Sequence, residues 1–127
     1  MTTTSDSTAT VVQRHWAAYC RGDVAALLAD YADDAVLITA MTGAVQGRAA
    51  IGAVFHSLFR DAFPVDSSRF TLELELVSGE IGFVKWAVET PVLRTRGASD
   101  TIVVRNGKIV AQTGVVEIEP LSAPSVS

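Results

Sequence analysis

The sequence predicts an α+β fold in which three helices cover one face of a mostly antiparallel sheet. Apolar residues in the first half of the chain recur with the period of a helix, whereas those in the second half alternate with the period of a strand. Asn106-Gly107 lies between two strand-like runs and is typical of a tight β-hairpin. Helices followed by antiparallel strands predict this fold class rather than a parallel α/β sheet.

The first helix is predicted to begin near Ser7 or Thr8, because either side chain can cap a helix N-terminus. Gly22 is predicted to end it. Its inward face carries four residues at the spacing i, i+3, i+4 and i+7, namely Val12, His15, Trp16 and Tyr19. His15 is therefore a polar residue on an apolar stripe.

Two more helices and a short strand complete the first half of the chain. Asp23 is predicted to cap the second helix, whose apolar residues are Ala26, Leu27 and Tyr31. Residues 35–40 are predicted to form a short strand, and residues 48–63 a third helix that Pro64 closes. The buried face of the third helix is expected to comprise Ile51, Phe55, Leu58 and Ala62.

The second half of the chain is rich in predicted strands. Residues 70–77 alternate, and the buried set is expected to be Phe70, Leu72, Leu74 and Leu76. A second alternating run follows the Ser78-Gly79-Glu80 turn, and residues 100–105 and 108–118 form the predicted hairpin. Because Arg105 should face water, alternation places Asp100 on the inner face of the sheet. A carboxylate there must be neutral, paired or hydrogen-bonded.

Composition limits the kinds of protein that this chain can be. The 127 residues suffice for one domain, predicted over 7–119 with flexible tails at 1–6 and 120–127. A net charge of −4 with scattered basic residues argues against a nucleic-acid partner. The apolar runs are too short to cross a membrane, no secretory signal is expected, and Cys20 cannot form an internal disulfide. We therefore expect a cytoplasmic protein.

Five short segments also carry a resemblance to a known family: residues 11–14, 22–23, 32–35, 47–48 and 100–109. They resemble the SnoaL-like, or ketosteroid isomerase-like, branch of the nuclear transport factor 2-like superfamily. The resemblance implies a cone-shaped fold, a nuclear transport factor 2-like or cystatin-like roll, whose curved sheet and helices enclose a ligand pocket. It also implies that homodimers are frequent.

Ketosteroid isomerases use three polar pocket residues: an Asp base, a Tyr and a protonated Asp. By resemblance, the Tyr position falls on His15 and the base position falls on Thr39. The protonated Asp falls on Asp100 if a one-residue difference lies in the Asn106-Gly107 turn. A threonine hydroxyl has no useful basicity, so unchanged steroid isomerase chemistry is not expected.

The sequence therefore predicts a catalytic pair of His15 and Asp100, within hydrogen-bond reach directly or through one water. Asp100 would hold one ring nitrogen, and His15 would act as the general base near neutral pH. Four residues are expected to bind substrate: Tyr19, Thr39, Trp86 and Gln112. Structural roles stay open, since a histidine on an apolar stripe is commonly a packed core residue and Gln112 also suits a satisfied core amide.

These residues predict a cofactor-independent acid–base enzyme of the isomerase or cyclase type, acting on a small apolar carbonyl compound. Epoxide opening is the least favoured chemistry, because the Asp-Arg-Asp set of limonene epoxide hydrolases is not visible. The alternative is a non-catalytic module for hydrophobic-ligand binding or dimerisation. No metal site is expected, because the two histidines lack matching carboxylate spacing.

A homodimer is also expected, built on the outer face of the sheet. The predicted outward positions of the later strands are more apolar than a solvated face requires. They are Phe83, Ala87, Val103, Ala111, Thr113 and Val115.

Overall fold

The computed structural model describes residues 6–121, and the predicted tail residues 1–5 and 122–127 lie outside this range. The α-helices are α1 (Thr8–Arg21), α2 (Val24–Ala29) and α3 (Arg48–Ser57), and a π-helix (Leu58–Ala62) and a 3₁₀ turn (Val65–Ser67) follow α3. The strands are β1 (Tyr31–Thr39), β2 (Gly43–Gln46), β3 (Arg69–Ser78), β4 (Ile81–Glu89), β5 (Leu93–Arg105) and β6 (Lys108–Pro120). They form one sheet in the order β2-β1-β6-β5-β4-β3, in which only β1 and β6 pair in parallel. The predicted α+β class is confirmed.

Helix α1 begins and ends where its cap residues predict. The Ser7 side chain accepts a hydrogen bond from the Thr10 backbone N–H at 3.1 Å. At the other end, Gly22 has a φ of 64°, the left-handed conformation that closes helices. The helix buries His15 among Val11, Val12 and Ala18, as the apolar stripe predicts.

The chain leaves α2 earlier than predicted, so Tyr31 begins β1 instead of continuing the helix. Asp23 caps α2 as expected and accepts a hydrogen bond from the Ala26 N–H at 3.1 Å. Asp30 ends the helix, and its carbonyl oxygen accepts a hydrogen bond from the Ile109 N–H at 2.7 Å. This bond brings the chain alongside β6, and β1 is consequently longer than predicted.

The third helix is also shorter than predicted, because it changes to a π-helix after Ser57. The Phe63 N–H donates to the Leu58 carbonyl oxygen at 2.8 Å, which adds one residue to the turn. The added residue rotates the following side chains about the helix axis. Phe63 is buried as a result, whereas the prediction placed Ala62 on the buried face.

A β-bulge in β3 overturns the predicted buried set of that strand. Leu72 pairs with Trp86 and Leu74 pairs with Lys85, which leaves Glu73 without an opposite residue. One unpaired residue exchanges the two faces of the strand beyond it. Leu74 and Leu76 are therefore 39% and 57% exposed on the outer face.

The sheet packs its inner face against α1 and α3, and the apolar core lies between them. One row of paired residues crosses this inner face, with Val84 opposite Asp100, Asp100 opposite Gly114, and Gly114 opposite Thr39. Strand alternation thus places the Asp100 carboxyl towards the helices, as predicted. Among the described residues, no helix is long and apolar enough to span a membrane.

Candidate functional site

A cavity of about 140 Å³ lies between the inner face of the sheet and the α1 and α3 helices. All six residues that the sequence singles out line it: His15, Tyr19, Thr39, Trp86, Asp100 and Gln112. The remaining walls are largely apolar and include Val12, Leu37, Val54, Phe55, Leu58, Phe63, Val84 and Ile102. The site is therefore an apolar chamber with a few polar groups, the usual composition of a small-molecule site.

Asp100 is held at the cavity wall by two N–H donors. The Trp86 indole Nε1–H donates to Oδ1 at 2.8 Å, and the Gln112 Nε2–H donates to Oδ2 at 2.7 Å. Gly114 lies opposite on β6, and a Cβ atom there would lie 2.8 Å from Oδ2. The carboxyl group occupies the space that the missing side chain leaves.

Burial raises the pKa of the Asp100 carboxyl above its ordinary value. The hydrogen bonds from Gln112 and Trp86, and the positive charge of a protonated His15, act in the opposite direction without cancelling the effect of burial. A carboxyl group with a raised pKa can exchange a proton nearer to neutral pH than a solvated aspartate can.

His15 does not pair with Asp100, so the predicted contact within the His15–Asp100 pair is wrong. Its Nδ1 lies 3.0 Å from Oδ2 of Asp30, and its Nε2 lies 3.2 Å from the Tyr31 hydroxyl. The physical reason is the α2–β1 junction, which places the Asp30 carboxylate beside α1. Arg14 completes this cluster by donating from Nε to Asp30 Oδ1 at 2.8 Å.

Tyr31 and Gln112 join the two predicted catalytic residues indirectly. The Tyr31 hydroxyl donates to Gln112 Oε1 at 2.5 Å, and the amide nitrogen of Gln112 donates to Asp100. Each of these contacts fixes the orientation of the next group. His15 and Asp100 are thus connected through two intervening side chains, where the sequence predicts a direct contact or one water.

Asp30 is only 2% exposed. Burial acts to raise the pKa of its carboxyl, but the hydrogen bonds from His15 and Arg14 outweigh burial and lower the pKa below the ordinary value. Sequence analysis missed the role of Asp30 and treated Tyr31 as a helical core residue. The only available signal was an acidic residue between two apolar segments, and no spacing motif links Asp30 to His15.

Tyr19 presents a hydroxyl to the cavity from the middle of an aromatic cluster. Its ring packs against Phe59, Phe70 and Trp86, with centroids 5.3 to 5.9 Å apart. Burial, and then the negative charge of Asp100, raise the pKa of this phenol, so the hydroxyl stays protonated at neutral pH. Within residues 6–121 the hydroxyl forms no hydrogen bond, which leaves it available to a ligand oxygen.

Thr39 lines the cavity at the end of β1, beside the turn to β2. Its hydroxyl oxygen accepts a hydrogen bond from the Thr42 backbone N–H at 3.0 Å and lies 2.8 Å from the Thr42 hydroxyl. Thr39 therefore shapes the turn. In the described part of the chain, no group of three or more His, Cys, Asp or Glu side chains could hold a metal ion.

Comparisons with known proteins agree with this architecture. The SnoaL-like domain family matches residues 12–112, which is most of the chain. No curated protein matches the sequence.

Three solved structures illustrate the structural likeness. A protein of unknown function from Burkholderia xenovorans, described as NTF-2 like, shares 23% identity at a TM-score of 0.72, over 92% of this chain and 87% of its own. A "putative ketosteroid isomerase" from Kribbella flavida shares 16% identity at a TM-score of 0.73, over 98% and 88%. A "putative polyketide cyclase" from Xanthomonas campestris shares 22% identity at a TM-score of 0.64, over 85% and 88%.

At these identities the three structures establish the fold, and the family match covers the six cavity residues that the sequence singles out. The chain belongs to the SnoaL-like domain family.

Proposed function

We propose that this protein is an acid–base enzyme of the isomerase or cyclase type that acts on a small apolar carbonyl compound. The proposal rests on the position of Asp100, which is the one carboxyl group among the described residues lining the cavity. Two N–H donors orient it and burial raises its pKa, the combination expected of a group that moves a proton.

The proposed reaction begins when the Asp100 carboxylate removes a proton from the carbon next to the carbonyl group. The C–H bond breaks, its electron pair forms a carbon–carbon double bond, and the π pair of the carbonyl group moves onto the oxygen to form an enolate. The free hydroxyl of Tyr19 donates a hydrogen bond to that oxygen, which stabilises the developing charge. Asp100 then returns the proton to a different carbon, which completes an isomerisation.

A cyclase would use the same first step, because the enolate carbon can attack a second carbonyl within the same molecule. That carbonyl oxygen then takes the proton from Asp100. Two structural neighbours carry the names of an isomerase and a cyclase, which supports both reaction types for this architecture. Each step moves a proton between the compound and the chain's own residues.

In this mechanism His15 is a positioning residue, whereas the sequence predicts it to be the base. Both of its ring nitrogens already face protein partners, Asp30 and Tyr31. His15 acts on Asp100 through Tyr31 and Gln112, which hold the carboxyl in one orientation.

The test compares the wild type with Asp100→Asn on β,γ-unsaturated ketones of one to four rings, by following the absorbance of the conjugated product. We expect kcat/KM to fall at least 100-fold, because the amide cannot accept the proton. In the wild type, activity should rise with pH through a midpoint above the ordinary Asp value, since only the ionised carboxyl is a base. Asp66→Asn, an exposed acid outside the cavity, is the control and should leave the rate unchanged. Equal rates for the wild type and Asp100→Asn would refute the proposal.

One observation favours a second candidate, a module that binds an apolar ligand without turnover. Both oxygens of Asp100 already accept hydrogen bonds, an arrangement that also suits a purely structural carboxyl group. Saturable binding of these ketones with no change in their absorbance spectra would select this candidate.

A further inference from the structure

We propose that the ligand of this cavity is a compound of about one six-membered ring, with its carbonyl oxygen at the end formed by Asp100 and Tyr19. The inference rests on the proposed function and goes further by fixing the size and orientation of the substrate. Three features of the cavity carry it, namely its volume, the shape of its walls and the separation of its polar end from its mouth.

The volume sets the size of the ligand. The cavity measures about 140 Å³. An apolar protein cavity of roughly 150 Å³ takes up benzene, whereas sites for drug-sized ligands span roughly 300–1,000 Å³. One ring with its oxygen fits this space, and a second fused ring exceeds it.

The walls set the shape of the ligand and keep the cavity from widening easily. Phe55, Phe63, Tyr19 and Trp86 present ring surfaces to the cavity. Tyr19 contacts Phe55 and Trp86 edge to face, and Phe63 contacts Trp86 in the same way. Because these rings brace one another, enlarging the space requires several close-packed side chains to move together. Flat walls of this kind match a planar conjugated ring.

The polar groups and the mouth lie at different ends of the cavity. The polar groups on the interior wall are Asp100 and the Tyr19 hydroxyl, together with the buried His15 and Gln112. The exposed lining residues are instead Met41 and Thr42, on the β1–β2 turn, and Val115 on β6. A ketone therefore enters with its oxygen leading, and only a substituent on the far side of the ring reaches the mouth.

Binding can be measured without turnover, because both tryptophans of the chain, Trp16 and Trp86, line the cavity. The probes are cyclopentenone, cyclohexenone, a two-ring fused enone and a four-ring steroid enone, titrated against intrinsic fluorescence. From cyclopentenone to cyclohexenone we expect about a fourfold gain in affinity for the added methylene. The two-ring enone should bind more weakly than cyclohexenone, and the steroid more weakly still. Equal or tighter binding of either fused compound, or no binding of cyclohexenone, would overturn the inference.

A variant that enlarges the cavity tests the size limit directly. Leu58→Ala removes side-chain volume from the wall and should raise the affinity for the two-ring enone at least tenfold. Leu76→Ala removes the same atoms from the outer face of the sheet and should leave that affinity unchanged. If Leu58→Ala does not fold, Val54→Ala makes a smaller change in the same wall. An equal gain in the Leu76→Ala control, or no gain in the enlarged cavity, would contradict the size limit.

The size inference and the proposed function fail in different ways. Tight binding of cyclohexenone with no turnover of the one-ring β,γ-unsaturated ketone would refute the catalytic proposal and leave the size inference standing. Asp100-dependent turnover of the two-ring or four-ring compounds alone would refute the size inference and support the catalytic proposal.

Discussion

Asp30 carries a negative charge in a place where an unpaired charge would be very unfavourable. Its carboxylate is stabilised by the Nδ1–H of His15 and the Nε–H of Arg14, which reaches it from the surface. Arg14 also pairs with Asp6 through Nη1, so the cluster extends from the core to solvent. At the residue scale, this buried carboxylate orients His15, the histidine that the sequence predicts to be catalytic.

Replacing Asp30 with Asn should destabilise the protein by about 2 kcal/mol at pH 7, because hydrogen bonds to a charged group are lost. The folded-state pKa of Asp30 is lowered, so its stabilising contribution is present above the unfolded-state value of 3.8 and is lost as the pH falls through the lower folded-state value. The difference between the wild type and Asp30→Asn should therefore shrink at acidic pH. Urea unfolding at a series of pH values from 7 to 2.5 measures this difference.

Asp33→Asn provides the matched control, since Asp33 is an exposed carboxylate that pairs with Arg48 at 3.2 Å. We expect a change below roughly 0.5 kcal/mol, with little dependence on pH. If Asp30→Asn costs the same free energy at every pH, the charge of Asp30 is not what stabilises the fold.

The periodicity of the sequence correctly predicted several side chains that point inward, namely His15, Trp86, Asp100 and Gln112. It could not predict their partners. A hydrogen bond between His15 and Asp30 depends on where α2 ends relative to α1, and that geometry is tertiary. The sequence therefore identified most of the polar groups at the cavity and paired two of them incorrectly.

At the scale of elements, two of the errors share one physical cause. The β3 bulge at Glu73 and the π-helix after Ser57 each add one residue to a regular repeat. Both shifts change which side chains are buried, yet neither leaves a clear mark in apolar periodicity. Caps and the Asn106-Gly107 turn were predicted well, because they depend on local backbone chemistry.

Gly114 on β6 illustrates how one element makes room for a group on another. Gly114→Ala should weaken cyclohexenone binding at least tenfold, because the new Cβ would displace the Asp100 carboxyl from Trp86 and Gln112. We expect a stability loss of about 1–3 kcal/mol, as for other overpacked sites. Fluorescence titration and urea unfolding of the same sample separate the two effects.

Gly22→Ala is a suitable control for that experiment. A Cβ there would overlap a methyl group of Val65, which does not line the cavity, and the φ of 64° at this position adds strain. It should cost comparable stability and change the affinity less than threefold. Similar losses of affinity in both variants would mean that overpacking in general, rather than displacement of Asp100, weakens binding.

At the scale of the whole molecule, we propose that two copies associate through the outer face of the sheet. The register places Ile38, Thr113, Thr101, Phe83 and Leu76 in one row across that face. Ile38 and Leu76 are exposed there, and the β3 bulge adds Leu74 to the same apolar surface. Exposed apolar side chains grouped on one face of a sheet are typical of protein–protein interfaces.

We therefore expect a homodimer in sedimentation velocity at micromolar concentration. The double variant Ile38→Lys with Leu76→Lys should sediment as a monomer, because charges on this surface would be buried without partners. Val92→Lys changes an exposed apolar residue on the β4–β5 turn, away from this row, and should remain dimeric. A wild type that is monomeric at this concentration would exclude this assembly.

Gln112 interrupts the polar chain between the surface and the cavity with a primary amide. An amide donates and accepts hydrogen bonds, but it does not readily gain or lose a proton. The chain from Arg14 to Asp100 therefore transmits orientation while insulating the carboxyl from acids and bases in bulk water. A proton that reaches Asp100 is therefore not passed along this chain, and in a filled cavity its nearest acceptor is the bound molecule from which it came.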